Sequence, residues 1–371
     1  MQIGIPKETT PRESRVAAVV ETVRKLVAQG AEVVVEAGAG VLSTLADDDY
    51  RAAGAKIGTA ELAFKSDIVL KVAPPTDDEI EKFKEGSLLI SFLDPLGRGK
   101  QILPKLALRK MSAIALELIP RITRAQYVDA LSSQANLAGY KAVLEGVNRF
   151  KKIIPMMTTS AGTIPPAQVL VLGAGVAGLQ AIATAKRLGA RVEAFDVRPE
   201  VKEQIESLGA RFIEIPLEES GAGSGGYAKE LSERAKEMQQ QLLTERVKKA
   251  DLIITTALIP GRPAPKLITA DAVRGMRRGS IIVDMAAAAG GNCELSKADG
   301  VVEIEGVTII GYTDLPSRIA DHASQLYAKN MLNYLSFILT KETSLGIRFD
   351  LGDEIVSKSL VLHQGELRGK V

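Results

Sequence analysis

A glycine pattern set between a strand and a helix constrains the fold of this chain more than any other feature. The segment VLVLGAGVAGLQAIATAKRLGARVEAFDVR places Gly173, Gly175 and Gly178 directly after an apolar run and directly before a helical pattern. In such a unit the first glycine permits a tight turn, the second lets a pyrophosphate approach the backbone, and the third allows the helix to pack closely on the strand. The helix N-terminus, which begins at Val176 and Ala177, faces the phosphates with partial positive charge. The pattern therefore predicts a Rossmann unit that binds a dinucleotide at these five residues.

The end of the next predicted strand indicates which dinucleotide is bound. Asp196 lies 18 residues after Gly178 (196 − 178) and is followed by Val197 and Arg198. An acid at this place hydrogen-bonds the adenine-ribose hydroxyls and repels a 2′-phosphate, so the sequence favours NAD(H) over NADP(H). Arg198 leaves NADP(H) open, because a nearby arginine can bind that phosphate. A degenerate Rossmann fold with an empty site is the other alternative.

Apolar runs alternate with amphipathic helical stretches along almost the whole chain, and the pattern restarts near the glycine motif. Apolar strands separated by helices predict parallel sheets that are covered on both faces. We therefore expect an α/β protein of two Rossmann-like, doubly wound domains with a cleft between them, the first formed by residues 1–135 plus 324–371 and the second, NAD(H)-binding, by residues 140–323. The predicted strands are Gln2–Ile5, Glu32–Glu36, Asp67–Lys71, Ser87–Phe92, Ser112–Leu116, Gln168–Leu172, Arg191–Val197, Arg211–Ile215, Asp251–Thr256, Ser280–Asp284 and Val307–Gly311. The predicted helices include Ala18–Gln29, Gly99–Arg109, Val176–Leu188, Pro199–Leu208 and Ser324–Leu339.

Composition argues against several functional classes. Aromatic residues make up 4% of the chain and Trp is absent, whereas carbohydrate and single-strand nucleic-acid binders need stacking platforms. The 47 Lys and Arg residues are balanced by 45 Asp and Glu, so the basic excess of a nucleic-acid binder is missing. With Cys293 as the single cysteine, no internal disulfide can form, and neither a signal peptide nor an apolar run of ~18–20 residues is present. We expect an intracellular protein whose membrane role, if any, comes through a partner.

The chain offers few groups for acid–base catalysis. A dehydrogenase that moves a proton together with a hydride needs a positioned acid/base, usually His or Lys. The two histidines are His322 in a helical pattern and His363 near the C-terminus, and for both a surface or packing role is the favoured interpretation. No His, Cys and Asp residues show metal-ligand spacing, and Cys293 is interpreted as an ordinary small residue.

Several long motifs carry a resemblance to a known family. The segments IGIPKETTPRESRVA, LKVAPP and VDMAAAAGGNCE, together with the glycine motif, resemble the superfamily of alanine dehydrogenase and the NAD(H)-binding component of proton-translocating transhydrogenase. The likeness extends along essentially the whole chain and implies two Rossmann-type domains.

The alanine dehydrogenase branch fits only in part. Its carboxylate-binding arginine and lysine match Arg15 and Lys71. Its strand-end histidine has no counterpart in LISFLDPL (residues 89–96), and its aspartate two residues before a Gly-Gly pair is replaced by Ala288. Without this acid/base pair, the resemblance implies that Arg15 and Lys71 are inherited scaffold or weak phosphate contacts.

The segment PRITRAQYVDALSSQANLAGY resembles the signature loop of the transhydrogenase branch, which implies that Arg121, Gln126, Asp129 and Ser132 surround the nicotinamide. Gln126 and Ser132 would fix the carboxamide, Arg121 would hold its oxygen or turn toward a second nucleotide, and Asp129 would orient Arg121 or Gln126. Direct hydride transfer needs two rings with reacting atoms ~3–3.5 Å apart and no general base. The alternative interpretation of this segment is helix capping and linker packing.

Three further stretches match the transhydrogenase branch. GGYAKE resembles its mobile lid and implies contacts from Gly226 and Tyr227, although a flexible connection is the plain alternative. TTALIPG resembles the segment that lines the adenine, with Leu258 in contact. Gln239 would touch the cofactor from a long charged helix that is otherwise a solvated face.

The branch also implies partners. It places such a chain as a homodimer on the cytoplasmic face of the inner membrane, where it works with a membrane-spanning component and an NADP(H)-binding component. Two other functions stay open. One is a stand-alone amino-acid dehydrogenase, which alanine-dependent reduction of NAD⁺ would reveal. The other is a non-catalytic NAD(H)-binding regulatory module.

Overall fold

The fold is given by a computed structural model, which describes residues 1–97, 99–214, 233–259, 261–341 and 345–368. The chain divides into two compact units. Unit 1 comprises Met1–Gln134 and Pro316–Val371, and unit 2 comprises Ala135–Leu315. Each unit has its own large sheet and its own apolar core.

Strands and helices alternate through both units. In chain order the described strands are β1 (Gln2–Ile5), β2 (Glu32–Glu36), β3 (Lys56–Gly58), β4 (Ile68–Leu70), β5 (Leu88–Ser91), β6 (Ser112–Ala115), β7 (Met157–Thr159), β8 (Gly162–Ile164), β9 (Gln168–Leu172), β10 (Arg191–Phe195), β11 (Arg211–Phe212), β12 (Leu252–Thr255), β13 (Ile281–Asp284), β14 (Val301–Ile304), β15 (Val307–Ile310), β16 (Leu339–Lys341), β17 (Leu345–Ile347), β18 (Leu360–His363) and β19 (Glu366–Leu367). The described α-helices are α1 (Val20–Ala28), α2 (Asp47–Ala52), α3 (Ala60–Phe64), α4 (Asp77–Lys82), α5 (Gly99–Leu108), α6 (Ala130–Arg149), α7 (Val176–Arg187), α8 (Lys202–Ser207), α9 (Glu233–Lys249), α10 (Ala270–Arg274), α11 (Ala320–Ile338) and α12 (Glu354–Ser359).

The sheet of unit 1 has the strand order β19-β18-β6-β5-β4-β1-β2-β3. Strands β1 to β6 pair in parallel, and β18 adds to β6 in the antiparallel direction. Helix α11 buries Tyr327, Met331 and Tyr334 in the core on one face, while Phe64 and Phe83 contact edge-on with ring centroids 5.0 Å apart in the core on the other face. The strand order reverses between β1 and β4, which makes the carboxyl ends of these two strands the usual ligand position of a doubly wound sheet.

The sheet of unit 2 has the order β11-β10-β9-β12-β13-β15-β14 and is parallel except for its edge strand β14. Its order reverses between β9 and β12, so ligands are expected where these two strands end. The central strands are buried on both faces, which is why they read as continuous apolar runs in the sequence. Helix α6 contributes Ala138, Ala142 and Val143 to the core of this unit.

The predicted fold class is confirmed, because both large sheets are parallel-dominated and doubly wound. The bounds of β1, β2 and β9 coincide with the predicted strands, and predicted helix Pro199–Leu208 begins as a 3₁₀ turn before α8. The exposed hairpin β7–β8, the edge strand β14 and the 20-residue helix α6 were not predicted from the sequence. Predicted strand Arg211–Ile215 is described only to residue 214, and pairs as a strand over Arg211–Phe212.

No helix in the part of the chain that the structure describes combines the length and the apolar character needed to cross a bilayer.

Candidate functional site

The predicted dinucleotide turn lies at the switch point of the unit 2 sheet. Gly173 follows β9 with φ +98°, a backbone conformation that favours glycine. A Cβ at Gly178 would lie 1.9 Å from the carbonyl oxygen of Gly173, so the third glycine is required for the helix to approach the turn. A Cβ at Gly175 would meet no atom within 4 Å. The space above Gly175 is therefore open to a phosphate, as the pattern predicts for a bound pyrophosphate.

The first turn of α7 supplies donors for that phosphate. Gly175 is the N-cap of the helix, with Val176 and Ala177 as its first two residues. Amide groups at the start of a helix have no partner within the helix and point along its axis, where the helix dipole favours negative charge. Residues Gly173 to Gly178 thus form a turn suited to a dinucleotide phosphate, and we retain Val176 and Ala177 among its contacts.

Asp196 is fixed beside this turn by four hydrogen bonds. Its Oδ2 accepts from the backbone N–H of Ala174 at 2.7 Å and from Nη2 of Arg198 at 2.8 Å. Its Oδ1 accepts from the backbone N–H and from Nε of Arg198, at 2.9 and 2.8 Å. The hydrogen bond to Asp196, despite partial burial, raises the pKa of Arg198. Arg198 is thereby paired with the acid that disfavours a 2′-phosphate, and Val197 lies half-buried between them.

The adenine-side segment is held against the same turn. Thr256, directly after β12, donates its hydroxyl to the carbonyl of Gly173 at 3.0 Å. Two residues later, Leu258 keeps 43% of its surface exposed although it is apolar. An exposed apolar side chain beside a nucleotide turn is suited to an adenine face.

Helix α6 presses on the turn from another side of unit 2. A Cβ at Gly139 would lie 2.1 Å from the carbonyl oxygen of Ala177. Because this neighbour is backbone, only glycine lets α6 reach the first turn of α7. This role was not predicted, since Gly139 sits 38 residues before Ala177 (177 − 139) and no local pattern marks it.

The four predicted nicotinamide residues all belong to unit 1, at the N-terminus of α6. Asp129 precedes the helix, and its carboxylate accepts from the backbone N–H of Ser132 at 2.8 Å and from the Ser132 hydroxyl at 2.6 Å. Asp129 is therefore an N-cap, which is the alternative interpretation of this segment. Gln126 and Arg121 are exposed on the loop before the cap. The structure thus brings Asp129 and Ser132 into direct contact.

The rest of this loop is tied to the C-terminal segment of unit 1. The carbonyl of Tyr127 accepts from Nδ2 of Asn330 at 3.0 Å and of Asn333 at 2.9 Å. Arg124 forms a bidentate pair with Asp353, with distances of 2.7 and 2.9 Å. A loop fixed at these points can present Gln126 and Ser132 in a constant orientation.

Lys71 occupies the switch point of the unit 1 sheet. Its side chain has no exposed surface, and Nζ lies 3.1 Å from Glu8 and 3.2 Å from Glu79. Although burial lowers the pKa of Lys71, the two carboxylates outweigh it and the pKa is raised. Burial raises the pKa of Glu8 despite the attraction of Lys71. The chain's own carboxylates thus occupy the lysine that would hold a substrate carboxylate in alanine dehydrogenases.

Arg15 is neutralised in the same way. Its Nε and Nη2 donate to the two oxygens of Glu13 at 2.8 and 2.6 Å, and its Nη1 donates to Oε1 of Gln134 at 2.9 Å. Burial alone would raise the pKa of Glu13, but the hydrogen bonds from Arg15 hold it below its usual range. A substrate carboxylate would have to displace Glu13 from Arg15.

Comparison with known proteins assigns the family. The description "Alanine dehydrogenase/PNT, N-terminal domain" matches residues 4–138, and "Alanine dehydrogenase/PNT, C-terminal domain" matches residues 142–370. The chain belongs to the alanine dehydrogenase/PNT family.

Within this family the chain is more similar to transhydrogenase alpha subunits than to alanine dehydrogenases. An NAD(P) transhydrogenase alpha subunit of Rhodospirillum rubrum is 49% identical over 376 residues, which cover 99% of this chain and 97% of that protein. The crystal structure of transhydrogenase from Sinorhizobium meliloti superposes with a TM-score of 0.86 at 44% identity, covering 99% of this chain and 98% of that one. Alanine dehydrogenase 1 of Staphylococcus aureus is a more distant relative, 29% identical over 376 residues, 99% of this chain and 94% of that protein. The predicted resemblance is confirmed.

The family implies nicotinamide nucleotide binding, and the remaining candidate residues fall into two groups. Gly226 and Tyr227 lie outside the described residues, and the side chain of Gln239 is not described although helix α9 contains it. Cys293 is buried, and burial raises the pKa of its thiol to about 11, which fits an ordinary packing residue. His363 packs edge-on against Phe349 with ring centroids 5.3 Å apart, and His322 is exposed on α11.

No group of three or more metal-ligating side chains is found among the described residues.

Proposed function

We propose that this chain is the NAD(H)-binding subunit of a proton-translocating transhydrogenase. It would bind NADH and present the nicotinamide for hydride transfer to NADP⁺ on a partner, while a membrane-spanning partner couples the reaction to proton movement. The observation that carries the proposal is the glycine turn of unit 2, open above Gly175 and bordered by Asp196. The 49% identity to a transhydrogenase alpha subunit supports the reaction type.

Asp196 supports NAD(H) as the nucleotide of this chain. A 2′-phosphate would meet the Asp196 carboxylate, and the one guanidinium beside it is already paired with that carboxylate at 2.8 Å. Ribose hydroxyls, by contrast, can donate to a carboxylate. Binding of NAD(H) would then exchange some of the Asp196–Arg198 hydrogen bonding for bonds to the adenine ribose. The same nucleotide would lie against Leu258, with the lid residues Gly226 and Tyr227 and helix residue Gln239 as further contacts implied by the resemblance.

Ser132 and Gln126 are proposed to orient the nicotinamide. The Ser132 hydroxyl donates its only proton to Asp129 at 2.6 Å, so its oxygen is left to accept from the carboxamide NH₂ group. Gln126 is exposed and offers both a donor and an acceptor to the same carboxamide. In this proposal the capping bond of Asp129 fixes the Ser132 rotamer, and Arg121 holds the carboxamide oxygen or the second nucleotide.

The proposed reaction needs no acid/base residue from the chain. When the two nucleotides are bound, the C4–H bond of NADH breaks with its electron pair, and a C4–H bond forms on NADP⁺. No substrate proton is lost or gained, so positioning and exclusion of water supply the catalysis. This agrees with a chain that has only two histidines, one exposed and one packed on Phe349.

A homodimer on the cytoplasmic face of the inner membrane completes the proposal. The hairpin β7–β8 is exposed along both strands, and Met157 and Ile164 keep 43% and 49% of their surface exposed. The neighbouring Met156 is 64% exposed. Contiguous exposed apolar residues mark interaction surfaces, and a second copy of the chain is the partner that the transhydrogenase resemblance implies.

A matched pair of amide variants tests the role of the signature loop. The full chain is mixed with its separate NADP(H)-binding partner, and hydride transfer from NADPH to an NAD⁺ analogue is followed by absorbance. Gln126→Asn shortens the amide by one methylene and is expected to lower the rate about 10–100-fold, because a misplacement of about 1 Å has that effect on hydride transfer. Gln101→Asn makes the same change at an exposed position of α5 and should leave the rate unchanged.

The outcome separates the alternatives. Transfer by the wild-type chain that falls with Gln126→Asn and not with Gln101→Asn supports the proposed function. No transfer in the mixture, with NADH still bound, would overturn it in favour of a regulatory module. Alanine-dependent reduction of NAD⁺ by the chain alone would overturn it in favour of an amino-acid dehydrogenase.

A further inference from the structure

Asn292 closes the base of the loop that carries Leu258. Its side chain has no exposed surface. Its Oδ1 accepts from the backbone N–H of Ala257 at 3.0 Å, and its Nδ2 donates to the carbonyls of Ala257 at 2.8 Å and Pro265 at 2.9 Å. One amide group therefore holds both ends of the segment from Ala257 to Pro265, directly before and well after the exposed Leu258.

The amide is itself held in a rigid turn. Gly291, the preceding residue, has φ +81°, and a Cβ there would lie 2.7 Å from Oδ2 of Asp284. Asp284 is fully buried and accepts from the Thr255 hydroxyl at 2.9 Å and from the backbone N–H of Cys293 at 2.9 Å. The backbone on both sides of Asn292 is thus anchored to the end of β13 and to β12.

The segment that Asn292 holds is in contact with the dinucleotide turn. A Cβ at Gly173 would lie 2.7 Å from Oγ1 of Thr256 and 3.0 Å from the backbone nitrogen of Ala257. Thr256 also donates to the carbonyl of Gly173 at 3.0 Å. A displacement of Ala257 would therefore move Leu258 on one side and disturb the first glycine of the turn on the other.

We infer that Asn292 is a positioning residue for the bound nucleotide, which acts through Ala257 on Leu258 and on the glycine turn without touching the nucleotide itself. The inference rests on the proposed function, which supplies NAD(H) as the ligand. Asparagine is required because the site needs one acceptor and a donor that serves two carbonyls. Aspartate has the same shape but would place a carboxylate oxygen against the carbonyls of Ala257 and Pro265.

The test measures NADH binding to the full-length chain by fluorescence titration. Asn292→Ala is expected to raise the Kd for NADH about tenfold, the upper end of what a lost buried hydrogen bond contributes. ADP-ribose, which lacks the nicotinamide, should lose the same factor, because Leu258 and the turn bind the adenosine and phosphate half. Ser280→Ala is the matched control: it removes a buried hydroxyl bond of 3.1 Å to the Ala250 carbonyl in the same unit. Its thermal midpoint should fall while its Kd stays that of the wild type.

A double-mutant cycle separates positioning from simple destabilisation. If Asn292 acts through Leu258, then Asn292→Ala in a Leu258→Ala background should raise the Kd by less than about threefold, since neighbouring sites that share one effect are not additive. Should Asn292→Ala fail to fold, Asn292→Asp replaces it in the same cycle, with the same expectation. Additive losses, or an unchanged Kd in the folded variant, overturn the inference. A wild-type chain that does not bind NADH overturns the proposed function itself, and this inference with it.

Discussion

The carboxyl of Glu117 is expected to make unit 1 less stable as the pH rises. Glu117 follows β6, and its Oε1 accepts from the backbone N–H of Leu93 at 2.8 Å and from that of Asp94. Its other oxygen, Oε2, is buried without a hydrogen-bond partner. Burial raises the pKa of Glu117 from 4.5 to about 7; backbone hydrogen bonds lower it to some extent, and the charge of Asp94 raises it further.

The sign follows from the folded-state pKa lying above the unfolded value. Between pH 4.5 and about 7 the folded chain keeps a proton that the unfolded chain has released, so the free energy of unfolding falls as the pH rises through this window. Above the window the loss is complete and amounts to about 3 kcal/mol at most, at about 1.4 kcal/mol per pKa unit. Glu117→Gln keeps the shape of the protonated carboxyl and cannot ionise.

Urea unfolding followed by circular dichroism at pH 5 and pH 8 tests this reasoning. Glu117→Gln should match the wild type at pH 5 within about 0.5 kcal/mol and exceed it by about 1–3 kcal/mol at pH 8. Glu81→Gln, at an exposed position of α4, should follow the wild type at both pH values. A stability difference between Glu117→Gln and the wild type that is the same at both pH values would refute the argument.

Three further substitutions have defined expectations. Asp129→Ala should lower the free energy of unfolding by about 1 kcal/mol in urea titrations, while Asp129→Asn, which can still cap α6, should stay near the wild type. Gly139→Ala should weaken NADH binding in a fluorescence titration although alanine favours helices, because its Cβ meets backbone at 2.1 Å; Gly146→Ala in the same helix meets a leucine side chain, which can shift, and should bind normally. Asp196→Ala should weaken NADH binding and strengthen NADPH binding in parallel titrations, because it frees Arg198 for a 2′-phosphate; equal losses for both nucleotides would contradict this assignment.

The α/β class could be predicted from the sequence because it depends on local patterns. Strand β9 and helix α7 are set by an apolar run, three glycines at fixed spacing and a helical period, all within about twenty residues. The hairpin β7–β8 has no such pattern, since its residues are exposed on both strands. The antiparallel edge strand β14 depends on pairing with β15, a preference that the apolar pattern of either strand does not encode.

The candidate site divides in the same way. The glycine turn and Asp196 could be predicted because the chemistry of phosphate binding fixes their spacing. The contacts of Asn292 with Ala257 and of Glu117 with Leu93 join residues 35 and 24 positions apart, and only the folded chain brings them together. The capping role of Asp129 was one of two interpretations of its segment, and the hydrogen bonds to Ser132 show that it operates. Placement of the four loop residues around a nicotinamide stays a prediction.

The most direct test of the proposed function follows an isotope rather than a rate. NADPH that carries deuterium in its transferable C4 position is mixed with NAD⁺, the full-length chain and the NADP(H)-binding partner, and the NADH formed is analysed by mass spectrometry. Direct hydride transfer predicts that the deuterium appears in NADH without exchange with solvent, and only when both proteins are present. Loss of the label to water, or formation of unlabelled NADH from L-alanine by the chain alone, would contradict the proposed function.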